Sequence, residues 1–161
     1  MDLSANQSSA MPKRHYGRYF LMLGVSAIVM NALTYANLEQ ADHFYLSTNR
    51  IYVTLLMISA MAVIMLGFMQ SMYPDKRTNW LIFGGSVLVF ATALFCIRNQ
   101  VAINDRRFMQ SMIPHHSIAI LVSKRADLKD PEVKALAQSI ITAQEREIAQ
   151  MKRILARMDK K

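Results

Sequence analysis

The sequence predicts an all-α chain in which three membrane-spanning helices precede a helical hairpin. Three observations carry this. There are three long uncharged runs, apolar residues recur at helical spacing after residue 104, and Asp130-Pro131-Glu132 has the form of a helix start. The runs are Tyr19 to Leu38, Ile51 to Pro74 and Thr78 to Ile97. Each is close to the ~20 residues that a helix needs to cross about 30 Å of hydrocarbon. With 53% of the 161 residues hydrophobic, the bilayer is the first expected partner. The expected division is a cytoplasmic tail (residues 1–18), a transmembrane region (19–98) and an extracytoplasmic hairpin domain (104–161).

Residues 1–12 are polar and Ser-rich, a composition that favours an unstructured tail. Tyr16 and Tyr19 precede the first span, Tyr52 and Tyr73 bracket the second and Trp80 opens the third, where aromatic residues mark membrane boundaries. Lys13, Arg14 and Arg18 flank the first span, and Lys76 and Arg77 lie in the second loop, while the first loop carries Arg50 alone. Positive residues in short loops favour the cytoplasm, so the N-terminus is expected inside and the hairpin outside, at a bacterial inner membrane. Arg98, Arg106 and Arg107 oppose that orientation, but they open a long segment that charge governs less. A signal peptide cut after Ala36 is the alternative for the first span, although its apolar run exceeds the usual h-region of roughly 7 to 15 residues.

The first loop, Glu39 to Arg50, is polar, and Asp42 and His43 read there as loop surface, with a ligand pair on the outer side as the alternative. In the second span Met57, Met61, Met65 and Met69 recur every fourth residue, with Met72 beyond. Such a row drifts only about 40° per turn and forms one stripe, used for packing or for relaying a soft cation. Gly84, Gly85, Ser86, Ala91 and Ala93 in the third span permit close helix approach, as in an oligomer. No Gly or Pro falls between Gly85 and Pro114, which predicts a continuous helix from the third span to Ile113. The single cysteine, Cys96, excludes an intramolecular disulfide framework.

In the hairpin, Asp130 supplies a capping side chain, Pro131 a first-turn proline and Glu132 an acid at the positive end of the helix dipole. The seam expected on this helix is Val133, Ala137, Ile140, Gln144, Glu147, Met151, Ile154 and Met158. On the preceding helix it is Asp105, Phe108, Met112, His115, Ala119, Val122 and Ala126, with Met109, His116 and Ile120 beside it. An antiparallel hairpin centred near Leu128 sets Met112 level with Gln144 and Glu145, and Met109 level with Glu147. Pro114 frees the carbonyl of Gln110, so a kink is expected there.

A carboxylate on a buried stripe costs several kcal/mol unless it is paired or coordinated, so Glu147 needs a partner. Thioethers, imidazoles and one carboxylate on facing helices suit copper better than magnesium or calcium. Met109, Met112, His115, His116, Gln144, Glu147 and Met151 are therefore the expected metal site, with copper, as Cu(I), the expected ion. His115 and His116 lie about 100° apart on a helix, so one ring from each chain is expected to ligate, the other binding across a dimer or supporting the site from outside. A net charge of +8 would suit nucleic acid. Yet twelve of the nineteen basic residues follow residue 100, interspersed with acids, and no nucleic-acid motif accompanies them. The seam offers one Glu and no Glu-x-x-His pair, unlike a di-iron centre, and neither a phosphate loop nor a Ser/His/Asp grouping is present. Catalysis is not expected.

Met112 to His116, Asp130 to Glu132 and Gln144 to Met151 together resemble the family known as domain of unknown function 305, over about Asp105 to Leu155. The resemblance implies a ferritin-like helical fold and an association with copper binding and tolerance through Met and His ligands. Many members carry two hairpins forming four helices, whereas this chain has one hairpin and three spans. A homo-oligomer that completes a four-helix bundle is therefore expected. The functions to be weighed are a membrane-anchored copper-binding protein of metal homeostasis, working with a metal-donating or metal-accepting protein; a copper-conducting transporter; and a metal-free oligomerisation module.

Overall fold

The computed structural model describes residues 10–160. Residues 1–9 of the expected tail lie outside the described residues. Five α-helices form, α1 (Ala10–Leu33), α2 (Thr48–Phe68), α3 (Lys76–Asn99), α4 (Asp105–Arg125) and α5 (Pro131–Met158), with 3-10 turns at Ala41–His43 and Gln70–Met72. The described residues include no strand. Helix α1 already begins at Ala10, so residues 10–12 do not follow the expectation of an unstructured tail. The chain divides into two compact units, one of residues 1–32 and 51–101, the other of 33–50 and 102–161.

In the first unit, His15–Leu33, Thr48–Phe68 and Lys76–Asn99 are long and apolar enough to cross a membrane. The first of these stops five residues short of the expected end at Leu38. Exposed Phe20, Leu21, Ile28, Trp80 and Leu81 suit contact with lipid tails. Tyr16, Tyr19 and Tyr73, expected at the membrane boundary, share a buried cluster with Ala62, Leu66 and Ile82. The Tyr73 ring lies 5.1 Å from that of Tyr16 and 5.5 Å from that of Tyr19. Tyr19 donates its hydroxyl to the carbonyl of Ala62, and Tyr16 donates to Asn79 Oδ1 at 2.7 Å. Each phenol thus buries its ring and keeps its polar tip satisfied. Met65 and Met69 pack against the same cluster, so helix packing accounts for those two members of the methionine row.

The expected continuous helix from α3 into α4 is not formed. Gln100 (φ 49°) and Ala102 (φ 57°) adopt left-handed conformations that end α3. The amides of Gln100 and Val101 return to the carbonyl of Cys96. Left-handed backbone costs an L-residue about 1 kcal/mol or more. The cost is offset by hydrogen bonds, including those from Gln100 Nε2 to the Ile97 carbonyl and from Tyr52 to the Val101 carbonyl. A new helix then starts where Asn104 accepts from the amide of Arg107. Asn104-Asp105 is a helix start by composition, and it outweighs the lack of Gly or Pro.

In the second unit, residues 33–50 pack on the hairpin instead of forming a loose surface loop. Asp42 pairs with Lys152, and Glu39 with Lys124. His43 is buried, its Nδ1 2.9 Å from Ser117 Oγ. Ser117 Oγ also accepts the amide of Glu39, while the hydroxyls of Ser47 and Ser111 meet at 2.8 Å. Tyr35 accepts the amide of Ser47 and lies under the guanidinium of Arg50, which donates to the carbonyl of Thr34. Tyr45 adds its ring to the hairpin core. Both Asp42 and His43 therefore anchor the segment: Asp42 remains exposed as expected, but the reading of His43 as loop surface is corrected.

Burial is the larger influence holding the His43 imidazole below its usual pKa. Repulsion from Lys152 and Lys124 adds to it, and attraction to Asp42 and Glu39 opposes it. An unfolded segment therefore takes up the proton more readily. The packing of residues 33–50 is at full strength above about pH 6.5, the unperturbed value, and weakens as the pH falls through 6.5 toward the lower value of the packed ring. Hydrogen exchange of residues 33–50, corrected for intrinsic rates, should be faster at about pH 5.5 than at about pH 7.5. A His43→Gln variant should lose this dependence, and equal protection of the native segment at both pH values would contradict the assignment.

Candidate metal centre

Helix α5 starts as its sequence dictates: Asp130 accepts from the amides of Glu132 and Val133, and Pro131 occupies the first turn. Its buried stripe differs from the expected one. Ile148 and Leu155 are buried and Ile141, Met151, Ile154 and Met158 pack beside them, whereas Val133 is 44% exposed. The centre of the stripe follows the seven-residue step Ile141, Ile148, Leu155. The expected seam shared Met151, Ile154 and Met158 with it but took Ile140, Gln144 and Glu147 in place of Ile141 and Ile148.

Helix α4 is rotated likewise. Met109, Ile113, His116 and Ile120 face inward, and Pro114 is fully buried within the helix. Phe108, His115 and Val122, expected on the seam, are exposed. The 100° between adjacent residues decides the two histidines: His116 turns in and His115 turns out.

The register differs too. His116 Nε2 lies 2.7 Å from Glu147 Oε2, Lys124 pairs with Glu145, and Arg106 pairs with Asp159. Glu147 therefore faces His116, seven residues further along α4 than the Met109 expected there. The backbone at Ala126 is extended (ψ 135°), and the linker carries the chain past the end of α4 before α5 begins. Residues 131–136 are consequently exposed.

This register makes a groove of about 590 Å³ lined by Met109, Met112, His116, Glu147, Met151 and Met158, with Phe108 and Ile154 among its apolar walls. Of the seven expected site residues, Met109, Met112, His116, Glu147 and Met151 line it. His115 and Gln144 do not. Met158, one heptad after Met151, joins the groove, and the sequence reading had given it only a packing role. His116 is 8% exposed, and its Nδ1 is buried without a hydrogen-bond partner. Among the described residues, no three His, Cys, Asp or Glu side chains gather as a metal-binding group. Beside Asp105, Glu147 and Gln150, the lining offers four neutral sulfurs and an imidazole, a donor set that would suit a soft monovalent cation.

The family described as Domain of unknown function (DUF305) matches residues 97–161, which hold both hairpin helices and this groove. The chain is also 33% identical over 139 residues to an uncharacterized protein, L153, of Acanthamoeba polyphaga mimivirus, covering 84% of this chain and 90% of that one. The chain belongs to the DUF305 family. Because the viral relative aligns over most of both chains, the similarity extends beyond the DUF305 segment into the apolar helices. No solved structure matches the chain significantly.

The observed faces can be tested by truncation. Ile113 is 0% exposed, so Ile113→Ala should cost about 2–5 kcal/mol. Phe108 is 52% exposed, so Phe108→Ala should cost about 1 kcal/mol or less. Denaturant unfolding of the metal-free protein measures both, and a reversed order would restore the seam expected from sequence.

Proposed function

We propose that this DUF305 member is a membrane-anchored protein that captures copper as Cu(I) in the groove between α4 and α5, then buffers it or hands it to another protein. The observation that carries this reading is a groove lined by Met109, Met112, Met151 and Met158 together with His116, whose Nδ1 is buried without a hydrogen-bond partner. A packed core of the same size needs no such nitrogen, and aliphatic residues would fill it without leaving a polar atom unsatisfied. The residues present therefore fit copper as cargo better than they fit a purely structural role.

The connectivity supports anchoring. One candidate span precedes residues 33–50 and three precede residues 102–161. Two crossings separate the parts of the second unit, so both fall on one side of the bilayer, as their packing requires. The basic flanks Lys13, Arg14, Arg18, Lys76 and Arg77 favour the other side as cytoplasmic, which orients the groove outward. A second copy laid against exposed Phe108, Val122, Val133 and Leu136 would complete a ferritin-like four-helix arrangement. Transport through the spans draws less support, because Met65 and Met69 are engaged with the tyrosine cluster.

Copper binding should depend on His116 and not on His115. In competition with a chromogenic Cu(I) chelator, His116→Ala should weaken affinity roughly tenfold or more, and His115→Ala should stay near the native value. Equal affinity of native protein and a variant combining His116→Ala, Met112→Leu and Met151→Leu would remove the reading.

A further inference from the structure

Glu147 was expected among the metal ligands, and in the structure it meets His116. The Glu147 side chain is 45% exposed, and its carboxylate can only accept hydrogen bonds. The His116 Nε2 at 2.7 Å must then carry the proton of that bond. In the neutral ring this leaves the lone pair on Nδ1, the atom that is buried with no donor to satisfy it. A lone pair excluded from water and offered no N–H or O–H is satisfied by a Lewis acid. Met112 stands one helical turn before His116 on the same face, so a thioether is adjacent on α4.

We propose that His116 binds the metal through Nδ1, and that Glu147 is a positioning residue which fixes the ring's tautomer and orientation without touching the ion. This rests on the copper reading above and narrows it. The ligands are then neutral sulfur and one nitrogen, with the negative charge held one bond away. Such a set favours Cu(I) or Ag(I) over Zn(II), which a directly bound carboxylate would admit. The pattern is that of a metal-bound histidine whose second nitrogen is held by a carboxylate.

The test uses the full-length protein in detergent micelles with 15N-labelled histidine, and Ag(I) as a diamagnetic probe. Variants of His15, His43 and His115 assign the four histidines. Two-bond proton–nitrogen correlation should show His116 as the Nε2–H tautomer before silver is added. One equivalent of Ag(I) should shift Nδ1 and split it by coupling to silver while Nε2–H persists. Splitting at Nε2, or an Nδ1–H tautomer in the silver-free protein, would overturn the proposal and leave the copper reading standing. No silver-dependent change at either nitrogen of His116 would remove both.

Substitution at Glu147 gives a second arm. Glu147→Gln keeps an oxygen that accepts from Nε2–H, so its Ag(I) affinity should stay within about threefold of native, whereas Glu147→Ala should lose roughly tenfold or more. If Glu147→Gln loses as much as Glu147→Ala, the carboxylate is itself a ligand.

Discussion

One hydrogen bond across the hairpin, from His116 to Glu147, fixes the relation of the two helices on which the groove depends. His116 is buried, and a buried polar group costs about 1–3 kcal/mol if its bond is left unmade, while Glu147 is half exposed at the edge of the α5 stripe. Facing each other satisfies Glu147 and one nitrogen of His116, and it selects a register seven residues away from the symmetric hairpin. With that register set, Met109 and Met112 lie opposite Met151 and Met158. The bond leaves the second nitrogen unsatisfied, and the chemistry of the groove starts from that remainder.

The segment between the first two spans supports the same helices from another side. Ser111 and Ser117 are buried on α4, where hydroxyls would ordinarily be a liability, and both are satisfied by residues 33–50 through Ser47, the Glu39 amide and His43. Lys124 and Lys152, one on each hairpin helix, reach Glu39 and Asp42. The DUF305 segment is thus part of a unit that borrows eighteen residues from elsewhere in the chain, 33–50. A hairpin excised at residue 104 would expose Ser111, Ser117 and Ile120.

Much of the architecture was legible in the sequence, for definite reasons. Apolar length alone identified three helices able to cross a membrane, and Asp130-Pro131-Glu132 fixed the start of α5 because capping is local chemistry. The break between α3 and α4 was missed because it uses Gln100 and Ala102 in left-handed conformations, where Gly or Asn is the usual signal. The choice between His115 and His116 was open because adjacent residues give two helical faces, and only the Ile113, Ile120, Ile148 and Leu155 core decides which turns inward. His43 was read as surface because its partner Ser117 is seventy-four residues away and looks unremarkable on a helix. Long-range pairing of small polar residues leaves little trace in a single sequence.

The central claim is that a sulfur-rich groove with one imidazole receives the metal. X-ray absorption at the copper edge of Cu(I)-loaded protein tests it most directly. The account predicts a first shell dominated by sulfur scatterers, with the multiple-scattering signature of one histidine ring. A shell of oxygen and nitrogen alone would contradict it.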